Sequence, residues 1–138
     1  MARLTDAQKQ LFRSTNFADL ATLMPDGSPH VSPVWVDIEG DTILVNSAEG
    51  RIKVRNVRRD PRVALSVHDE DDPYTMVSVR GRVEEVARED ADRHIDRLAK
   101  KYLGQDRYPN RQPSERRVIL RIVPDHVTGM GEAAREAA

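Results

Sequence analysis

The sequence predicts a mainly β fold, a small barrel of about six strands with flanking helices. Three observations predict it. Short runs of β-branched and apolar residues recur along the chain, each about the length of a strand. Tight-turn signals, Pro25-Asp26-Gly27-Ser28 and Glu39-Gly40-Asp41, separate the first three of them. The later runs flank two inserted helices, an order that suits a closed antiparallel sheet.

Taken in order, Thr5 with Gln8 three residues on fits a capping box, and a short helix to about Arg13 buries Leu4, Leu11 and Phe12. Phe17 to Met24 is apolar and reads as a strand. His30 to Ile38 is the returning strand. Pro33 inside it cannot donate to a ladder, so that point is an edge, a bulge or a site of ligand approach. Thr42 to Asn46 is the third strand, so the first three form an antiparallel meander. Arg51 to Arg59 is helical and cationic, and Pro61 ends it by disfavouring the α conformation at Asp60. Arg62 to Val67 is apolar again, and Asp69 to Asp72 form an acidic loop. Tyr74 to Val86 alternates, with Val77, Val79, Gly81 and Val83 on one face; Gly81 in mid-strand marks a bend or a close approach. Arg88 to Leu103 is the clearest helix, with Ala91, Ile95, Leu98, Ala99 and Tyr102 at helical spacing and Gly104 as its C-cap. After a loop over Gln105 to Ser114, Arg117 to Val123 is the last strand, closed by Pro124. The tail over 131–138 has nothing obvious to bury and is expected to fray.

The 138 residues are expected to form a single domain, 1–138, long enough to enclose a core without staples. With no cysteine, disulfides, zinc thiolates and thiol catalysis are excluded. A net charge of -1 argues against wholesale nucleic-acid binding. The N-terminus lacks the apolar run of a signal peptide, and no stretch approaches a membrane span, so a cytoplasmic protein is expected.

The chemistry concentrates at Thr42 to Val67. A strand ending in Asn46-Ser47 opens, through Ala48-Glu49-Gly50, a helix carrying Arg51, Lys53, Arg55, Arg58 and Arg59. Backbone N–H groups and the positive end of the helix dipole favour an anion there, and the side chains add full charges. The plain alternative is a solvated basic helix between two strands, the commoner case for such a pattern. Neither a Walker loop nor a dinucleotide fingerprint is present. His30, His68, His94 and His126 are not at metal-ligand spacing. His94 is expected on the outer, solvated side of its helix, and His30 at an exposed strand end. Ser47 lacks a nucleophile elbow and suits hydrogen bonding to an anion. Trp35, the only tryptophan, is a core or interface aromatic, or the wall of a planar ring beside Pro33.

The runs Gly27 to Asp37 (GSPHVSPVWVD) and Ile43 to Leu65 (ILVNSAEGRIKVRNVRRDPRVAL) resemble the pyridoxamine 5′-phosphate oxidase-like split β-barrel superfamily. The similarity is to its flavin/deazaflavin oxidoreductase branch that uses coenzyme F420. It covers roughly Leu11 to Val123, and the spacing from Lys53 to Val63 is its most specific part. The resemblance implies a homodimeric split barrel with the cofactor in a groove at the dimer interface. It implies that Ser47, Arg51 and Lys53 hold the cofactor phosphate and that Asn56 supports them. Ser32, Pro33, Val34 and Trp35 would run beside the tricyclic ring, Asn46 and Ala48 would line the groove, and Tyr74, Met76 and the region of His126 are candidates for the second subunit's share. The oxidase members carry an Arg-Lys pair where this chain has Ile52-Lys53, which points away from pyridoxamine phosphate oxidation. Arg55, Arg58 and Arg59 could meet the polyglutamate tail of the deazaflavin. The implied activity is hydride transfer from reduced deazaflavin to an electron-poor organic acceptor, with no acid–base residue assigned. An FMN-binding oxidase or reductase and a non-catalytic cofactor carrier or sensor are the alternatives.

Overall fold

The structure is a computed structural model that describes residues 2–134. Its strands are β1 (Ala18–Leu23), β2 (Pro29–Val34), β3 (Asp37–Glu39), β4 (Thr42–Ala48), β5 (Arg62–His68), β6 (Met76–Ala87) and β7 (Arg117–Met130). The helices are α1 (Asp6–Arg13), α2 (Ile52–Arg59) and α3 (Ala91–Leu103), and a turn of 3-10 helix covers Gly131–Ala133. One antiparallel sheet runs β2-β1-β5-β6-β7-β4-β3, curled but not closed edge to edge. The mainly β, split-barrel expectation holds, with seven strands instead of about six.

The extra strand comes from His30 to Ile38, which divides at Trp35-Val36. Its halves end at opposite edges of the sheet, so the first three runs are not a meander. The reason lies in β2. Pro29 and Pro33 have no N–H, so β2 can be paired on one side only and must be an edge. β1 pairs with it through the turn at Gly27 (φ +86°), and β4 finds β7 instead. Pro124 does not close the last strand. It lies opposite Gly81, where the β6–β7 register shifts, and β7 continues to Met130. A Cβ on Gly81 would run into the Val123 carbonyl, so the close approach read at this glycine is real.

The inward faces of β1, β5, β6, β4 and β7 build the core around Leu20, Val67, Val79, Val45 and Leu120. α1 closes it with Leu11 and Phe12, behind the capping box in which the Gln8 N–H donates to Thr5 Oγ1 at 3.1 Å. Two expectations need correction. His94 is not solvated; it is fully buried, because position 94 falls on the same α3 face as Ala91, Ile95 and Leu98. Nor does the tail lack anything to bury. Ala133 is fully buried and its carbonyl accepts from Gln8 Nε2 at 3.0 Å, while residues 135–138 lie outside the described part.

Candidate functional site

A cleft of about 330 Å³ opens where β2, β4, α2 and α3 converge. Pro33 and Val34, at the end of β2, and Trp35, in the break before β3, form one wall. Ile95, Leu98 and Leu103 of α3 line it, with Phe17 at its edge. Asn46 and Ser47 enter from the end of β4, and Arg51 and Lys53 from the start of α2. Tyr108 and Asn110 reach in from the loop after α3, and Arg117 from the start of β7.

The apolar wall is held by an aromatic cluster. Trp35 stacks on Tyr102, 5.2 Å between centroids and 4° from parallel, and meets Tyr108 edge-on at 6.0 Å. Tyr102 in turn meets Phe17 edge-on at 5.6 Å. The Tyr102 hydroxyl donates to the Asn16 carbonyl at 2.6 Å and accepts the Val36 N–H at 3.1 Å, and burial pushes its pKa up to about 12. Lys101 Nζ donates to the carbonyls of Phe12 and Val36, and burial brings its pKa down to about 8. Both side chains pin the backbone beside Trp35, so this wall is fixed before any ligand arrives.

The polar end is cationic. α2 has no acidic residue in its first turn, and its N-cap, Arg51, makes no capping bond through its side chain. Lys53 is half-buried and has no ion-pair partner among the described residues; burial, then repulsion from Arg51 and Arg117, holds its ammonium below the usual lysine range. Arg117 is nearly buried. Its Nε donates to Asn46 Oδ1 at 2.9 Å and its guanidinium lies 5.3 Å from the centre of the Tyr108 ring. Asn46 Nδ2 donates to the Ala91 carbonyl at 2.8 Å and to His94 Nδ1 at 3.1 Å. His94 Nε2 therefore carries the proton, 3.9 Å from the Asp37 carboxylate, and burial lowers the His94 pKa to about 4. His94, Asn46 and Arg117 thus form a neutral-to-cationic chain that aims one guanidinium into the cleft.

Of the residues singled out from sequence, Pro33, Val34, Trp35, Asn46, Ser47, Arg51 and Lys53 share this cleft. Ser32, Ala48 and Asn56 do not line it. Ser32 is on β2 with its hydroxyl buried and without a partner, and Ala48 is buried in the sheet. Asn56 is buried beneath α2, where its Nδ2 donates to Thr22 Oγ1 at 2.9 Å. His30 is half-buried, not exposed at a strand end. Tyr74 is 76% exposed on the loop before β6, away from the cleft lining. His126 lines a separate groove of about 670 Å³ with Ala21, Ala64 and Arg80. That groove is larger, but it lacks both a stacked aromatic wall and a buried cation. Sequence reading missed Arg117, Tyr108 and Tyr102. An aromatic in a charged loop was the only signal for Tyr108. Arg117 is some seventy residues from Asn46, and only the β4–β7 pairing brings it near.

The arrangement can hold a flat, partly apolar ligand that carries an anionic group at one end. Among the described residues no helix is long and apolar enough to cross a membrane. Comparison with known proteins narrows the reading. A solved F420 reductase is 29% identical over 91% of this chain and 98% of its own, with a TM-score of 0.79. A conserved hypothetical protein from Mycobacterium tuberculosis is 26% identical over 94% of this chain and 86% of its own, with a TM-score of 0.71. The sequence model of pyridoxamine 5′-phosphate oxidase matches residues 4–131, nearly the whole chain, and this split-barrel protein belongs to that family.

Proposed function

We propose that the cleft binds a deazaflavin of the coenzyme F420 type and that the protein is a reductase acting on an electron-poor organic acceptor. One observation carries this reading: a rigid aromatic wall at Trp35 and three cations, Arg51, Lys53 and Arg117, line a single cleft. The residues fit the group. Lys53 is a half-buried cation with no counter-ion among the described residues, as a phosphate site requires. Likeness to an F420 reductase favours the deazaflavin.

When bound, a reduced deazaflavin supplies a hydride. The chain's own residues bind and orient. Arg51, Lys53 and Arg117 would hold the phosphate, and Ser47, in the same cleft, would add a hydrogen bond to the anion. Pro33, Val34 and Trp35 would flank the ring, and Ile95 and Leu98 would keep water from it. A second copy of the chain would complete the open side. Phe17, 55% exposed at the cleft edge, and Val31, 64% exposed on β2, are apolar surface that such a copy would cover.

The second reading, FMN in the same cleft, is supported by the family match. The test is a parallel titration of the purified protein with coenzyme F420 and with FMN, read by quenching of Trp35 fluorescence, followed by an acceptor screen. Tight deazaflavin binding with weak FMN binding is the expected result. The reverse order transfers the site to FMN. Stoichiometric binding with no acceptor reduced makes the protein a carrier or sensor, and binding of neither removes the reading.

A further inference from the structure

We propose that Glu115 tunes the charge of ligand the anion site accepts: its carboxylate, held between Arg51 and Arg117, lowers the affinity for a doubly charged phosphate monoester more than that for a singly charged phosphodiester. This deepens the reading above and rests on the cleft being a cofactor-phosphate site.

One carboxylate oxygen of Glu115 takes Arg51 Nη2 at 3.3 Å, and the other takes Arg117 Nη1 at 3.1 Å. A ligand phosphate would seek the same two guanidinium groups. It therefore arrives at donors that already hold one negative charge, with only Lys53 uncommitted.

The carboxylate cannot simply be expelled. Arg117 is fixed from behind by Asn46 and flanked by the Tyr108 ring, so its guanidinium stays where it is. The backbone around Glu115 is pinned on both sides: its N–H donates to the Gln112 carbonyl at 3.1 Å, and the next carbonyl, of Arg116, accepts from the Glu49 N–H at 2.9 Å. Arg51 is different. Its side chain is 51% exposed, free to leave Glu115 and turn to a ligand. After binding, Glu115 remains on Arg117, beside the phosphate.

Repulsion between a fixed carboxylate and a phosphate scales with the product of their charges. The phosphate of a monoester such as FMN carries close to two charges at neutral pH, since its second pKa is about 6. A phosphodiester, the linkage in coenzyme F420, carries one. Glu115 thus penalises the monoester about twice as strongly as the diester, and so offsets part of the stronger pull that the three cations exert on the doubly charged group.

The test uses two ligands that differ only in this charge: FMN and its methyl phosphodiester, with the same pair built on a deazaflavin ring and with unphosphorylated riboflavin as reference. Binding to the wild-type protein and to Glu115→Gln is read by Trp35 quenching, with Glu115→Ala as a second variant. The ratio of monoester to diester affinity is expected to be lower in the wild-type protein than in Glu115→Gln. Glu115→Gln should tighten the monoester about tenfold and the diester by less than about threefold, as one removed charge at close range requires. Equal tightening of both, or none for the monoester, overturns the role of Glu115 and leaves the phosphate site standing. If no phosphorylated ligand binds more tightly than its unphosphorylated ring, the phosphate site falls and this inference falls with it.

Discussion

The two ends of helix α2 carry similar side chains and use them in opposite ways. At the C-terminal end the cations are satisfied locally. Arg58 pairs with Glu49, and Arg59 donates to the Leu23 carbonyl at 2.6 Å and to Asn56 Oδ1 at 2.9 Å. Arg62, just beyond, makes a two-point contact with Asp60, which holds that carboxyl down at about 2. Positive charge there also complements the helix dipole. At the N-terminal end Arg51 and Lys53 oppose the dipole, with no acid in the first turn. Arg51 shares one carboxylate with Arg117, and Lys53 has no counter-ion among the described residues. Cations placed where the helix disfavours them, next to a preformed cleft, leave that end short of negative charge; cations at the other end hold the helix down.

That contrast can be broken in four ways. The largest effect concerns the buried backing of the N-terminal end. His94 is fully buried and its pKa falls to about 4 from the usual 6.5. Unfolded chains bind its proton near 6.5 and the folded one does not, so its contribution to stability is complete above that pH. It is lost as the pH falls from 6.5 towards 4, by about 3 kcal/mol in all. Denaturant midpoints of the wild-type protein and His94→Gln, compared at pH 7 and pH 4, check this; equal acid losses in both would assign the effect to other groups. Next, Lys53→Gln should weaken a phosphorylated cofactor by about 2 kcal/mol without lowering the unfolding midpoint, since it removes a cation that opposes the dipole. A fall in stability with unchanged binding would make Lys53 structural. Arg59→Ala should do the converse, costing about 1 kcal/mol of stability through its lost bonds to Leu23 and Asn56 and leaving ring and phosphate binding intact. The smallest effect is expected for Arg55→Ala. Arg55 is exposed, so only the dependence of deazaflavin affinity on tail length should change; a loss with a tail-free ligand would place Arg55 at the ring or the phosphate.

The strands and the cationic helix were legible because local chemistry decides them. Turns at Gly27 and Gly40, the cap at Thr5 and the alternation through Val77, Val79 and Val83 act within a few residues of themselves. Strand order was not, because nothing local says that β4 will pair with β7 instead of β2. The same limit applied to the cleft. Pro33 to Trp35 and Asn46 to Lys53 are contiguous runs that stand out in the sequence. Arg117, Tyr108 and Glu115 join them only through long-range pairing and the path of a loop. His94 shares the apolar face of α3 with Ala91, Ile95 and Leu98, and the Asn46 bond that admits a polar ring there is a tertiary contact invisible in the local sequence.

The open barrel leaves two strand edges, and the prolines of β2 have a consequence for the behaviour of the protein at high concentration. A proline can occupy a paired strand only where its nitrogen points away from the partner. Pro29 and Pro33 therefore remove two of the three outward donors of β2, those at 29 and 33, and leave only Val31 to offer one. The other edge, β3, is three residues long and carries Asp37 and Glu39. An incoming strand thus meets a depleted ladder on one side and a short, like-charged one on the other, so neither edge templates fibrous assembly.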